Sequence, residues 1–169
     1  MNYYSLNQNE IDLVTMIGTR RWENGRAVKF NHQLNVGAGM TVDQDIEAVA
    51  GELACAAVLD VYYDIKTDYP TADLLPIQDL TYKGKTIDVK TTTWKNGVLF
   101  ARGNKLEKQC DLYVLVVREP NTWNFTIAGY ATNEMLFKEE NYKDLGGYGK
   151  PVYQLPQCFL HTLGELLEL

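Results

Sequence analysis

The chain has 169 residues, 46% of them apolar and 22% charged, with a net charge of −6. This length and composition predict a single globular domain over residues 1–169, with residues 1–40 as an N-terminal helical extension. A membrane-spanning helix is not expected, because the most apolar run, Leu112 to Val117, falls far short of the roughly 20 residues needed. The N-terminus shows neither the basic nor the apolar region of a secretory signal.

The three cysteines, Cys55, Cys110 and Cys158, are odd in number and far apart in the chain. They form no CxxC pair and no zinc-binding spacing, so they predict reduced core residues of a cytoplasmic protein. The two histidines, His32 and His161, are too few for a His-rich metal cluster.

The positive charges are concentrated in one part of the chain. Residues 83–108 have a net charge of +5, which leaves −11 for the rest. A basic segment in an acidic protein predicts a surface that contacts phosphates. The alternative, commoner on charge alone, is a solvated hairpin and helix that bear lysines. The cations of the segment are Lys83, Lys85, Lys90, Lys95, Arg102, Lys105 and Lys108.

Two helices are predicted in the first part of the chain. The first runs from Asn9 to Trp22, where apolar residues recur on one face. The second begins at an N-cap residue, Thr41 or Asp43, and continues to about Tyr63. Its central part is apolar on all sides, which predicts a helix that is buried on most faces.

After Pro70 the pattern changes to strands. The first two strands form a hairpin through a short turn with Gly84 at its centre. The strands are Ile77–Tyr82, Thr86–Thr93, Val98–Ala101, Leu112–Val117 and Thr122–Tyr130, followed by a short helix near Asn133–Phe137 and an apolar stretch, Leu160–Leu169. Helices on either side of a block of strands predict an α/β fold with a central mixed β-sheet flanked by helices.

One strand of the hairpin carries an acidic and a basic side chain at alternate positions. Asp88 and Lys90 share a face of an extended strand, while Ile87 and Val89 face the core. This predicts a carboxylate beside an ammonium group on the exposed face. The pattern (D/E)-x-K is common, and Asp64-Ile65-Lys66 repeats it at a helix end without strand character. The alternative for Asp88 and Lys90 is an exposed ion pair worth about 0–1 kcal/mol.

A second acid, Asp79, lies on the preceding strand of the hairpin. Cross-strand neighbours are about 5 Å apart, so Asp79 and Asp88 can share one divalent cation. Phosphodiester hydrolysis needs such a group. Carboxylates hold Mg²⁺, the metal polarises the phosphoryl oxygen and activates water, and a lysine such as Lys90 stabilises or orients the nucleophile.

Glu52 is a carboxylate on an apolar stretch of the second predicted helix. Its helical neighbours are Ala48, Val49, Cys55 and Ala56. Burying a carboxylate there is costly unless a cation or donor meets it. Two interpretations are open: Glu52 reaches the metal of Asp79 and Asp88 or its water ligands, or it is a structural residue satisfied by Arg20, Arg21 or a backbone amide.

The order of these residues resembles the PD-(D/E)XK nuclease superfamily. A helical Gly51-Glu52-Leu53-Ala54 is followed by Asp79 and by a hairpin that leads into Ile87-Asp88-Val89-Lys90-Thr91-Thr92. More narrowly, the chain is similar to small phage-type members, which share Gly18-Thr19-Arg20-Arg21, the strand Asp111 to Val116 and the strand end Gly129-Tyr130. The likeness covers roughly residues 18 to 165 and implies a restriction-endonuclease-like fold.

The resemblance implies a Mg²⁺-dependent deoxyribonuclease, with Mn²⁺ as a substitute metal. Asp79, Asp88 and the carbonyl of Val89 would bind the metal, Lys90 would position the water, and Glu52 would complete the site. Two departures from the family pattern are Gln78 in place of proline and Asp88 in place of the commoner glutamate. The first leaves Asp73 as a second candidate for the ligand role of Asp79.

DNA is the predicted partner, with no membrane contact. The expected phosphate contacts are Arg20, Arg21, Lys83, Lys85, Lys95, Arg102 and Lys105. Three aromatic residues near the lysines, Tyr82, Trp94 and Phe100, either stack on bases or belong to the core, which is commoner. The rival is a non-catalytic module that binds DNA or a host protein, and a third interpretation is a purely structural acidic protein. Both a monomer and a homodimer are open, and a phage-encoded protein would act in the host cytoplasm.

Overall fold

The computed structural model describes residues 2–27, 41–64, 78–102, 110–144 and 151–169. Asp73, Ile77, Lys105 and Lys108, which the sequence analysis singled out, lie outside these ranges. The helices are α1 Gln8–Ala27, α2 Val42–Leu59, α3 Asn133–Leu136 and α4 Leu163–Glu168. The strands are β1 Tyr3–Ser5, β2 Leu80–Tyr82, β3 Lys85–Thr92, β4 Leu99–Arg102, β5 Leu112–Arg118, β6 Asn124–Thr132, β7 Tyr142–Asp144 and β8 Pro151–Leu155.

Five strands form a central mixed sheet in the order β1-β6-β5-β3-β2. Strands β3 and β5 run parallel, and the other neighbouring pairs run antiparallel. Residues Leu112 to Val116 of β5 are buried, as their continuous apolar run predicts. The predicted α/β fold with a central mixed sheet flanked by helices is confirmed. No helix in the described ranges has the length and apolar character that crossing a membrane requires.

Helix α2 begins with a capping box. The Thr41 hydroxyl accepts a hydrogen bond from the Gln44 amide, and the Gln44 side chain accepts one from the Thr41 amide. Asp43 and Asp45 lie in the first turn, where the positive end of the helix dipole favours acids. The helix ends at Leu59, earlier than predicted, because Asp60 adopts a left-handed conformation with φ 53°.

A glycine allows α2 to lie very close to β3. A Cβ atom added to Gly51 would overlap the side chain of Thr91, with Cβ of Thr91 at 3.0 Å and Cγ2 at 3.1 Å. Gly18 likewise allows α1 to pack closely against α2, because a Cβ atom added to it would lie 2.5 Å from Cα of Ile46. The residue after Gly51, Glu52, is therefore held against the sheet.

A second, three-stranded sheet has the order β4-β8-β7 and was not predicted from the sequence. It lies against the face of the central sheet opposite α2, over a core that contains Leu99, Tyr113, Leu115, Leu136 and Leu155. Strand β4 was predicted, as Val98–Ala101, but β7 and β8 were not, because both are short and β8 begins with a proline.

The prediction of core positions for the three cysteines holds for two of them. Cys55 and Cys110 are buried free thiols, but Cys158 is exposed. It lies in a 3₁₀ turn, Gln157–Phe159, none of whose residues is buried. The hairpin turn also differs from the prediction: Lys83 (φ 47°) and Gly84 (φ 78°) form a two-residue turn, and Lys85 already belongs to β3.

Replacing Gly51 with alanine should destabilise the protein, because the added methyl group has no room beside Thr91. We expect a loss of about 1–3 kcal/mol in the free energy of unfolding, the usual cost of overpacking. Gly164 of α4 is a matched control, since a Cβ there would meet only the Thr162 hydroxyl at 3.7 Å. Gly164→Ala should be neutral or stabilising by up to about 1 kcal/mol. Equal effects of the two substitutions in urea denaturation would contradict the close approach of α2.

Candidate functional site

Strand β3 presents Asp88 and Lys90 side by side, as the sequence predicts. Their backbones are paired in register with Tyr113 and Leu115 of β5. The Lys90 ammonium group forms an ion pair with the Asp88 carboxylate. The face is not exposed as predicted, because Asp88 is only 3% exposed. Tyr113 and Leu115 belong to the core beneath the second sheet, so that sheet covers this face.

Asp79 reaches the same part of β3 from the other strand of the hairpin. Strand β2 pairs only with Lys85 to Ile87, and β3 has no partner strand beyond Ile87 on this side within the described ranges. Asp79 lies just before β2, where its amide donates to the Ile87 carbonyl at 2.8 Å. Its carboxylate accepts a hydrogen bond from the Val89 amide at 2.7 Å. The side chain thus takes the place of a backbone acceptor and brings the acid to the unpaired edge of β3.

Glu52 approaches from α2 and is 6% exposed. Both of its carboxylate oxygens accept hydrogen bonds from Arg21 at 2.9 Å, and the Tyr63 hydroxyl donates to one of them at 2.8 Å. Arg21 also donates to the Tyr63 oxygen at 3.2 Å. Of the two interpretations of Glu52, pairing with Arg21 is present in the structure. Tyr63 was not predicted, because it lies in the extended segment after α2, where no periodicity relates it to Glu52.

The carboxylates and Lys90 share one electrostatic environment. Burial, with Glu52 and Asp88 nearby, raises the pKa of Asp79 to about 7, although Lys90 and the Val89 amide oppose this. Burial alone would lower the pKa of Lys90, but Asp88, Asp79 and Glu52 outweigh it and raise that pKa above its ordinary value. Lys90 is therefore charged at neutral pH, while Asp79 is held near the midpoint of its titration.

The donor set suits a small divalent cation that keeps most of its water. Mg²⁺ commonly takes one or two protein carboxylates and completes its octahedron with waters and substrate oxygens. Asp79 and Asp88 supply two carboxylates. Burial raises the pKa of Asp79 most and the charges of Glu52 and Asp88 add to it, so a nearby cation would favour its ionised form. Within the described part of the chain, no three His, Cys, Asp or Glu side chains are arranged to hold a metal.

The predicted phosphate contacts are spread over several surfaces. Arg20 is exposed on α1, and Lys95 is exposed after β3. The Lys83 ammonium group donates to the Leu167 carbonyl at 2.7 Å, and that of Lys85 lies 3.8 Å from the Asp111 carboxylate.

Two other predicted phosphate contacts are less accessible. Arg102 is half-buried on β4. Arg21 has a side chain that is 13% exposed and bound to Glu52, so its position does not support a phosphate contact.

The three aromatic candidates for base stacking also differ in exposure. Tyr82 is buried in the main core, and Phe100 is half-buried. The core interpretation is therefore correct for Tyr82. Trp94 is 78% exposed, which the strand pattern around it did not reveal.

Comparisons with protein-family models, with curated proteins and with solved structures found no match to this chain.

The metal-free protein should lose stability as the pH rises through neutrality. Asp79 keeps its proton to about pH 7 in the folded state, against an ordinary pKa of 3.8. Between these two pH values the folded state therefore binds more protons than the unfolded state. The protonated Asp79 contributes its full stabilisation of the folded state below about pH 4, and this contribution is lost above about pH 7. This shift in the pKa of Asp79 corresponds to at most about 4 kcal/mol in the free energy of unfolding.

Urea denaturation in EDTA at pH 5 and pH 8 tests this expectation. Asp79→Asn should remove most of the difference between the two pH values, because the amide does not titrate. Asp12→Asn, at an exposed position of α1, should leave the difference unchanged. A wild-type protein that is as stable at pH 8 as at pH 5 would contradict the assignment.

Proposed function

We propose that this protein is a Mg²⁺-dependent deoxyribonuclease of the PD-(D/E)XK type, which hydrolyses DNA phosphodiester bonds and accepts Mn²⁺ as a substitute. The observation that supports the proposal is the meeting of Asp79, Asp88 and Lys90 at the unpaired edge of β3. The raised pKa values of Asp79 and Lys90, in contact with a second buried acid, are more typical of a reactive site than of a structural ion pair.

The residues have separate roles in this proposal. Asp79 and Asp88, with the Val89 carbonyl, would hold the metal, which supplies Lewis-acid polarisation of the phosphate and a more acidic water. Lys90, charged and fixed against Asp88, would orient the attacking water or bind a phosphate oxygen through its ammonium protons. The hydrogen bond from the Val89 amide would keep the Asp79 carboxylate in place.

Glu52 would act as a positioning residue. After burial, its charge is the next cause of the raised pKa of Asp79, and it adds to the larger effects of Asp88 and Asp79 on the pKa of Lys90, so it strengthens the attraction of the site for a cation. Arg21 and Tyr63 fix its orientation through three hydrogen bonds. Burial, followed by the charge of Glu52, raises the pKa of Tyr63, which therefore remains a hydrogen-bond donor.

A non-catalytic module that binds DNA or a host protein is the second candidate. The pairing of Glu52 with Arg21 favours it, because it provides a purely structural reason for a buried glutamate. Measurements of cleavage separate the two candidates, since only the nuclease requires Lys90 and the metal for turnover.

Lys90→Ala should abolish cleavage of plasmid and linear DNA in Mg²⁺ or Mn²⁺. Loss of the group that orients the nucleophile or stabilises charge typically reduces rates by about 10²–10⁴-fold. DNA affinity in Ca²⁺ should change little, because Lys90 is one cation among several. Lys138→Ala, at an exposed position before a 3₁₀ turn, should cleave like wild type. Wild-type rates for Lys90→Ala, or cleavage that persists in EDTA, would refute this mechanism.

Mg²⁺ should stabilise the folded protein, because it relieves repulsion between Asp79 and Asp88. For a dissociation constant of about 1 mM, 10 mM Mg²⁺ contributes about 1.4 kcal/mol. That contribution corresponds to a rise of about 3–6 °C in the thermal midpoint of a chain of this size. Asp79→Asn and Asp88→Asn should each abolish the rise, whatever their own midpoints, while Asp12→Asn should retain it. A midpoint insensitive to millimolar Mg²⁺ and Mn²⁺ would count against the metal site.

A further inference from the structure

Two large aromatic side chains are exposed on adjoining segments near the site. Trp94 is 78% exposed and Phe159 is 64% exposed. The Gln157 side chain joins the segments, donating to the Lys95 carbonyl at 3.0 Å and to the Gly97 carbonyl at 2.9 Å. The Trp94 amide donates to the Thr92 hydroxyl at 3.1 Å, and the Gly97 amide donates to the Trp94 carbonyl at 2.8 Å. The backbone of Trp94 is thus fixed although its ring is exposed.

The outward face of the second sheet carries two cationic side chains. The register places Arg102 of β4 and Lys143 of β7 on either side of Val152 of β8, so the three share one face. Phe100 lies on the same face as Arg102, two residues earlier in β4. The opposite face, with Leu99, Ala101 and Leu155, is buried in the core.

The charge of this surface differs from that of the whole protein. The chain contains 22 acidic residues, yet residues 89–102 and 151–164 contain none. Of the cations in these segments, Lys95 and Arg102 belong to this surface, whereas Lys90 pairs with Asp88 on the covered face. The segment that supplies Lys143 also carries the exposed acids Glu139, Glu140 and Asp144. The excess of cations therefore lies on the β4 side of the surface, where it favours a polyanionic partner.

We propose that the aromatic surface, formed by Trp94, Lys95, Phe100, Arg102, Lys143 and Phe159, binds single-stranded DNA. Exposed rings can stack only on bases that are unpaired, because a duplex hides the faces of its bases within the stack. Cations beside the rings contact the phosphates of the same strand. An acidic protein partner would satisfy the cations but would not explain the exposed aromatic side chains beside them.

The aromatic surface adjoins the proposed site. Single-stranded DNA would then be the form of the substrate on which that site acts, and in this respect the inference rests on the proposed function. Strand β3 continues from Lys90 to Thr92, and Trp94 follows after a bend, so the two residues are at most about 13 Å apart along the chain. Asp88 and Lys90 also lie on the face of the central sheet that the second sheet covers. A strand stacked on Trp94 would therefore bind near the edge of the covered face, and would have to pass that edge to reach Lys90, whose side chain is 23% exposed.

Binding of a fluorescein-labelled oligo(dT) to the full chain in EDTA tests the aromatic surface without any cleavage. Trp94→Ala should weaken binding about 5- to 150-fold, the usual effect of losing one stacked base. Trp94→Phe should restore most of the affinity. Tyr62→Ala is the matched control and should have no effect, because Tyr62 is 84% exposed but lies between Asp60 and Asp64. Circular dichroism should show that all variants fold.

Two further measurements make the test decisive. Arg102→Gln should flatten the dependence of log K on log salt by about 0.7, as expected for one phosphate contact on a single strand. A duplex of the same length should bind less tightly than the single strand and be insensitive to Trp94→Ala. Wild-type affinity of Trp94→Ala for oligo(dT), or tighter binding of the duplex than of the single strand, would overturn the proposal.

The outcomes also separate this inference from the proposed nuclease activity. If oligo(dT) binding depends on Trp94 but Mg²⁺ produces no cleavage of either DNA form, the aromatic surface stands and the nuclease proposal fails. If Lys90-dependent cleavage of duplex DNA occurs while Trp94→Ala binds oligo(dT) like wild type, the nuclease stands and the aromatic surface is refuted.

Discussion

The contact between Gly51 of α2 and Thr91 of β3 determines where the other parts of the site can lie. Because Gly51 has no side chain, the helix backbone approaches the strand closely, and Glu52 reaches the electrostatic environment of Asp79 and Lys90. A larger residue at position 51 would separate the two elements. Burial and the capping box at Thr41 stabilise α2, but this one small residue sets its distance from the sheet.

Three carboxylates in one interior region would repel one another strongly, and the fold supplies two cations to limit this. Arg21 pairs with Glu52 on the α2 side of the sheet, and Lys90 pairs with Asp88 on the other side. Asp79 receives the Val89 amide and the field of Lys90, but burial and the charges of Glu52 and Asp88 outweigh them, so its pKa remains raised. The unbalanced acid lies where β2 no longer pairs with β3. A cation bound at this edge would be stabilised by the negative charge of the carboxylates.

The second sheet covers the proposed site on one face and carries the aromatic surface on the other. One face of it buries Leu99, Leu115 and Leu155, and thereby covers Asp88. Its other face carries Arg102 and Lys143 beside the exposed aromatic residues. The same short strands therefore lower the polarity around the acids and provide the surface that we propose for single-stranded DNA.

The sequence by itself determined the α/β class, the start of α2 at Thr41 or Asp43 and the shared face of Asp88 and Lys90, because capping chemistry and strand alternation are local properties. It also brought Asp79 close to Asp88 through the hairpin, although the turn that sets the register is one residue shorter than predicted. The burial of Asp88, the pairing of Glu52 with Arg21 and Tyr63, and the exposure of Trp94 and Cys158 were decided only by the tertiary structure. Each depends on which distant segment covers a residue, and a short strand such as β8 leaves no periodic signal of that contact.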